Sequence, residues 1–215
     1  MYAVVYNNRV IVGPMTWNRA IFQGALSKEG VLQTLPRVAP EQLPYQITPD
    51  AQIMAVQEDR PSLNPLVEYY HGPHWEVQSE LVIAHYYVFD IDVDVAKGGF
   101  KALAAQERYR KEVAGITHVV QGQTVTLDTS RDGRNIFLQK LALMTDTDVV
   151  NWKFPERWVT LTKSDLNQIV AAGAAHIQIC FDWEKQISDQ IDQAQTKQDL
   201  INIQIQELDP ANQSV

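Results

Sequence analysis

The sequence predicts an α+β fold in two modules. Residues 1–95 read as a mainly β module with one helix, residues 97–208 as short β-hairpins packed on helices, and residues 209–215 as a C-terminal tail. Three observations lead there. A hairpin pattern of β-branched residues opens the chain. A long alternating run, LVIAHYYVFDIDVDV, closes the first half. An apolar stripe at helical spacing, from about Ser164 onward, dominates the second half. A chain of 215 residues suffices for one large domain or two small ones with a real core.

In YAVVYNNRVIVG, two β-branched runs flank Asn7-Asn8, and Asn tolerates the positive φ of a tight hairpin turn. Thr16 is placed to cap a helix carrying Trp17, Ala20, Ile21, Ala25 and Leu26, with Gly30 as its stop. Residues 33–50 hold Pro36, Pro40, Pro44 and Pro49, a density that blocks helix and central strand, so an extended arm or connector is expected. In the run from Leu81, the odd positions Leu81, Ile83, Tyr87, Phe89, Ile91, Val93 and Val95 are apolar, His85 excepted. The even positions pass from Val82, Ala84, Tyr86 and Val88 to Asp90, Asp92 and Asp94. Side chains alternate faces along a strand, so the odd face is expected to stay buried while the even face reaches water near Asp90.

Gly98-Gly99 reads as a joint, followed by a helix over FKALAAQERYRKEV that stops at Gly115. THVVQGQTVTLD reads as a second hairpin around Gly122. Asp128, Thr129 and Ser130 then offer oxygens at a helix start, and Ile136, Phe137, Leu141 and Met144 form a helical face. Pro155 suits a turn, so Trp152 and Trp158 flank a third hairpin. The long helix follows, with Thr162 and Asp165 as a capping pair, and Thr196 with Asp199 repeats that signal where the chain bends. INIQIQEL is compatible with either edge strand or helix.

A net charge of -8 argues against a nucleic-acid surface, because phosphates require a cationic footprint. The densest basic run, Lys101, Arg108, Arg110 and Lys111, is interleaved with Glu107 and Glu112 and reads as a solvated helix face. One cysteine, Cys180, permits no intrachain disulfide. The N-terminus lacks a signal-peptide pattern, and no apolar run reaches the roughly 20 residues of a membrane helix.

The strand–turn–helix layout of TVTLDTSRDGRNIFLQKLAL invites comparison with a phosphate loop. It has one glycine, Gly133, no Gly-Lys-Ser/Thr, and Asp132 at the positive end of the helix dipole, so it reads as a capped junction. Three groups of residues offer metal-ligand chemistry. Asp90, Asp92 and Asp94 share a strand face, but lack the glycine turn and closing Glu of a calcium hand; whether they bind a cation stays open. His176, Cys180 and Glu184 recur every four residues on one helix face, with Cys180 on the apolar stripe as a small core residue. His71 and His74 in HGPHW have a spacing that can help hold zinc, or make a polar turn ending at a buried Trp75. There is no GxSxG elbow and no HExxH. The expectation is a protein without catalytic residues, metal or cofactor.

Read together, several stretches resemble a known family. They are Arg108-Tyr109 before the glycine turn at Gly115, Thr126-x-Asp128-x-x-Arg131, Asn151-Trp152, Val159–Thr162, and His176-x-x-x-Cys180-Phe181-Asp182-x-Glu184. Over residues 97–205 the chain resembles a small domain of unknown function that recurs in tail and tail-fibre proteins of tailed bacteriophages and prophages. MYAVVYNNRVIVGPMTWNRAIFQGAL is similar to the start of small virion proteins of phages of aquatic or cyanobacterial hosts. The resemblance implies a virion structural or adaptor protein of the tail, baseplate or fibre attachment region. It would be assembled in a host cytoplasm, contact other virion proteins, and exist in several symmetric copies. A tail-fibre assembly factor absent from the particle, and a head decoration or neck protein, are the alternatives.

Overall fold

The computed structural model describes residues 1–16 and 38–205. The helix expected after Thr16, the first residues of the Pro-rich segment and the end of the INIQIQEL tail lie outside the described residues. The fold is α+β, and the chain divides into two compact units, Met1–Ile91 and Asp92–Val215.

The first unit is built on a six-stranded sheet in the order β2-β1-β4-β6-β5, with β3 pairing β4 off that path. Strands β1 (Tyr2–Tyr6) and β2 (Arg9–Met15) form the predicted hairpin. Asn7 and Asn8 take φ of 48° and 60°, the left-handed pair that lets a two-residue turn follow the strand twist. Strand β3 (Tyr45–Thr48) sits between Pro44 and Pro49, so part of the expected arm is a short strand. Strand β4 (Ala51–Asp59) pairs antiparallel with β1 and parallel with β6 (Leu81–Asp90). Strand β5 (Glu68–Val77) pairs antiparallel with β6.

Ala3, Val4 and Val5 are all buried, so β1 carries a continuous apolar run with both faces covered. Ala3 and Val5 pack with Met54 and Val82 on one face, joined by Trp75 and Val77; Val4 and Ala51 form a second cluster with Tyr6 and Ile47.

The second unit opens with α1 (Val93–Glu112). The strand expected through Val95 therefore stops at Asp90, and Gly98-Gly99 lie inside a helix rather than at a joint. The cause is local: the Asp92 side chain accepts from the backbone N–H groups of Asp94 and Val95, which sets a helix N-terminus where alternation alone read strand. Strands β7 (Ile116–Val120) and β8 (Gln123–Leu127) make the second hairpin, turning through Gln121 (φ 50°) and Gly122 (φ 74°). Helix α2 (Arg131–Leu143) is capped by Ser130, whose hydroxyl accepts from Gly133 N–H at 3.1 Å. Strands β9 (Val149–Lys153) and β10 (Trp158–Thr162) form the third hairpin, with Pro155 in its loop.

Helix α3 (Lys163–Gln193) carries the predicted stripe inward through Leu166, Ile169, Gly173, Cys180, Ile187 and Ile191. Thr162 and Asp165 close a reciprocal capping box, and Thr196 and Asp199 do the same for α4 (Lys197–Asn202). Helices α1 and α2 pack on α3, and the hairpins close a core around Leu127, Phe137, Leu161, Leu166 and Ile169. Fully burying each such side chain contributes roughly 1.5–3 kcal/mol before conformational entropy is counted. Ile136, expected on the apolar face of α2, points outward, while Phe137 stacks on Trp152 at 4.5 Å. Among the described residues, no helix is long and apolar enough to cross a membrane.

Candidate functional site

The most distinctive surface of the first unit is the outward face of β5 and β6. The register pairs Tyr69 with Phe89 and His71 with Tyr87; beyond an irregularity it pairs His74 with His85. Tyr69, Tyr87 and Phe89 are each about half exposed, at 47%, 53% and 48%. Their rings make a continuous stripe: Tyr69–Phe89 at 6.1 Å, Phe89–His71 at 5.4 Å, His71–His74 at 5.2 Å and His74–Tyr87 at 5.0 Å. Offset and edge-on contacts at these separations hold the rings against one another. The opposite face carries the half-buried Tyr70, Tyr86 and Trp75, with the Arg60 guanidinium over Tyr86 at 4.1 Å.

This inverts the burial expected of β6. Its even positions Val82 and Ala84 are fully buried, whereas odd positions Tyr87 and Phe89 face outward. The two faces are both apolar in sequence, so alternation marks that they differ without saying which faces the core. HGPHW is not a turn but the middle of β5, and Trp75 is half-buried. Gly72 takes φ +130°, and a Cβ there would stand 2.8 Å from the His85 carbonyl oxygen, so the irregularity requires glycine.

One end of the stripe is fixed by charge. His85 Nδ1 lies 2.9 Å from Asp59 Oδ2 and its Nε2 lies 3.0 Å from Glu76 Oε2, tying together β4, β6 and β5. The bond to Asp59, then that to Glu76, raises the His85 pKa above the ordinary histidine value. The Gln78 amide, then His85, hold the Glu76 carboxyl below the usual range.

The other candidates from the sequence do not converge on a ligand. Asp90 ends β6, Asp92 caps α1, and Asp94 pairs with Lys97 at 3.1 Å, so the three carboxylates do not share a strand face. His176, Cys180 and Glu184 do share a face of α3, and His176 Nε2 lies 3.8 Å from Cys180 Sγ, but Glu184 is drawn to an arginine and the three do not converge. His176 Nε2 lies 3.0 Å from the Lys111 carbonyl oxygen, and Arg108 donates to Glu184 at 2.8 Å. Cys180 is fully buried, and burial, then the Glu112 charge, push its thiol pKa up, which leaves it unreactive. Among the described residues, no group of three or more His, Cys, Asp and Glu side chains is arranged to hold a metal. The Asp128–Gly133 stretch is a capped junction: Asp128 accepts from Ser130 N–H at 2.8 Å, and Thr129 accepts from Gly115 N–H at 2.9 Å.

A charge cluster inside the second unit was missed by sequence reasoning. Glu112 is 2% exposed and accepts from Arg108 and, at 2.8 Å, from Arg134. The basic run is thus solvated only in part: Arg110 pairs with Glu107 at the surface, but Arg108 turns inward. A four-residue spacing of Arg108 and Glu112 was the one available signal, and it marks surface pairs as often as buried ones. Beside this cluster lies a hollow of about 280 Å³ lined by Leu127, Phe137, Ile169, Val170 and Ile177, with Arg134 at its edge. Glu112 and the Ser130 carbonyl oxygen both accept from that guanidinium.

Comparison with known proteins places residues 96–206 in one family: they match the model described as Domain of unknown function (DUF4376). No curated protein and no solved structure matches the chain.

Proposed function

The chain belongs to the DUF4376 domain family, matched over just over half of its length, and we propose that it is a structural component of a tailed-bacteriophage virion. In this reading it works by protein–protein contacts in the tail, baseplate or fibre attachment region. The observation that carries the binding role is the exposed ring stripe of Tyr69, Phe89 and Tyr87 on β5 and β6. Aromatic side chains are enriched at the centres of protein interfaces, where they bury large area at low entropic cost. Trp158, 66% exposed on β10, offers a second such anchor in the other unit. The resemblance to phage tail-associated domains supplies the assignment to a virion, and symmetric assemblies repeat each such contact in every copy.

Quantitative mass spectrometry of gradient-purified particles of the phage that encodes the chain tests this. A copy number that is a multiple of three or six, scaled to a known tail protein, is expected. Expression during infection with absence from the particle would overturn the structural role and favour a fibre assembly factor.

A further inference from the structure

We propose that His71 and His74 form a two-nitrogen site for a borderline divalent transition cation, with Zn²⁺ as the type ion. The two residues lie three apart in β5, so an unbroken strand would place them on opposite faces. The irregularity between them, at Gly72-Pro73, turns both onto the outward face. There His71 Nδ1 and His74 Nε2 lie 3.1 Å apart, joined by a hydrogen bond in which one ring N–H donates to the other ring nitrogen. Two imidazole nitrogens on one tetrahedral zinc, at about 2.0–2.1 Å from the metal, stand about 3.3 Å apart. To admit the ion the pair opens by a few tenths of an ångström, the proton of the hydrogen bond between them moves to the donating ring's other nitrogen, and both rings tilt until their lone pairs converge on the metal. His71 packs on Phe89 and His74 on Tyr87, which limits the rotation of both rings.

The chemistry of the donors selects the class of cation. Imidazole suits zinc, copper and nickel, and offers nothing to calcium or magnesium, which take oxygen ligands. His85, the cross-strand partner of His74, adds no third ligand because both its nitrogens are held by Asp59 and Glu76. Two protein ligands leave a tetrahedral ion with two open positions. Water fills them in an isolated chain; the same pair on a second copy fills them in a symmetric dimer.

Calorimetric titration of the full chain with zinc chloride, alongside His71→Ala, His74→Ala and His85→Ala, tests the site. Binding is expected in the parent and in His85→Ala, and weaker by about tenfold or more in each of the other two. Magnesium and calcium should give no such heat. A stoichiometry of one ion per chain with unchanged mass in light scattering identifies completion by water. One ion per two chains, with doubled mass, identifies completion by a second copy. X-ray absorption of the zinc-loaded parent reads the ligands without any substitution, and two imidazoles per zinc, or four in a dimer, are expected. No zinc uptake by the parent, a spectrum without imidazole, or full-strength binding in both His71→Ala and His74→Ala would overturn the proposal.

Discussion

Replacing Glu112 by Gln should destabilise the second unit out of proportion to so small a change. The Glu112 side chain is 3% exposed and accepts from two guanidinium groups, those of Arg108 and Arg134. Gln keeps the volume but removes the charge and turns an amide N–H toward one of the arginines. Breaking a buried ion pair costs about 3–5 kcal/mol, because the remaining charge is desolvated without compensation. Two features reduce that here. Arg108 keeps Glu184 at 2.8 Å, and the Arg108 and Arg134 side chains are 15% and 26% exposed, so some water reaches both. The expected loss is therefore about 2–3 kcal/mol. Glu184→Gln is the internal comparison. Its side chain is 26% exposed and it meets one arginine, so its loss should be about 0.5–1 kcal/mol. Urea unfolding of the full chain measures both, with buried Trp183 on α3 as a reporter of the second unit. At a slope of about 1–3 kcal/mol per molar, the larger loss moves the midpoint down by roughly 0.7–3 M. A Glu112→Gln midpoint equal to the parent's, or a Glu184→Gln loss as large as that of Glu112→Gln, would refute a desolvated cluster organised on Glu112.

Three further outcomes are expected. Gly133→Ala should cost about 1–3 kcal/mol, because a Cβ there meets the Asp128 side chain, with Oδ2 at 2.6 Å and the backbone oxygen at 2.7 Å; Asp128→Ala should rescue it only in part, as the backbone contact remains, and an unchanged melting temperature would contradict this. The His85 clamp should strengthen the first unit below the ordinary histidine pKa of about 6.5 and fade as pH rises through the raised folded value. The difference in melting temperature between the parent and His85→Ala should therefore shrink from pH 6 to pH 9, and a difference that grows would show the opposite linkage. Tyr87→Ser with Phe89→Ser should leave the unfolding midpoint of the isolated protein nearly unchanged, since both side chains are half exposed, yet remove the chain from particles in a complementation assay.

The elements that were legible in the sequence are those specified by neighbours in the chain. Asn7-Asn8 and Gln121-Gly122 turn where positive φ is tolerated, and Thr162 with Asp165 starts α3 by reciprocal capping. The inward stripe from Leu166 to Ile191 follows from the helical period alone. Each signal is completed within four residues, so no distant partner can cancel it. The same locality misled at Asp92, where three apolar–acidic alternations read as strand, although the carboxylate caps a helix. It also left β4 and β5 unread, because AQIMAVQED and EYYHGPHWEV carry mixed patterns that become strands only through pairing with β1 and β6.

What only the tertiary structure decided is which surface faces what. β6 is apolar on both faces, and its burial on the Val82 side comes from packing against residues such as Met54 and Ala3, far away in sequence. The exposed rings of Tyr87 and Phe89, and the approach of His71 to His74, follow from that choice and from the Gly72 conformation. Glu112 was read as solvated because its sign and spacing suit a surface pair; α1, α2 and α3 together exclude water from it and leave the two arginines to carry its charge. Turns and caps are short-range hydrogen-bond arrangements and can be read locally. Burial is a property of the assembled neighbours, and it converts the same side chains into core, ion cluster or binding face.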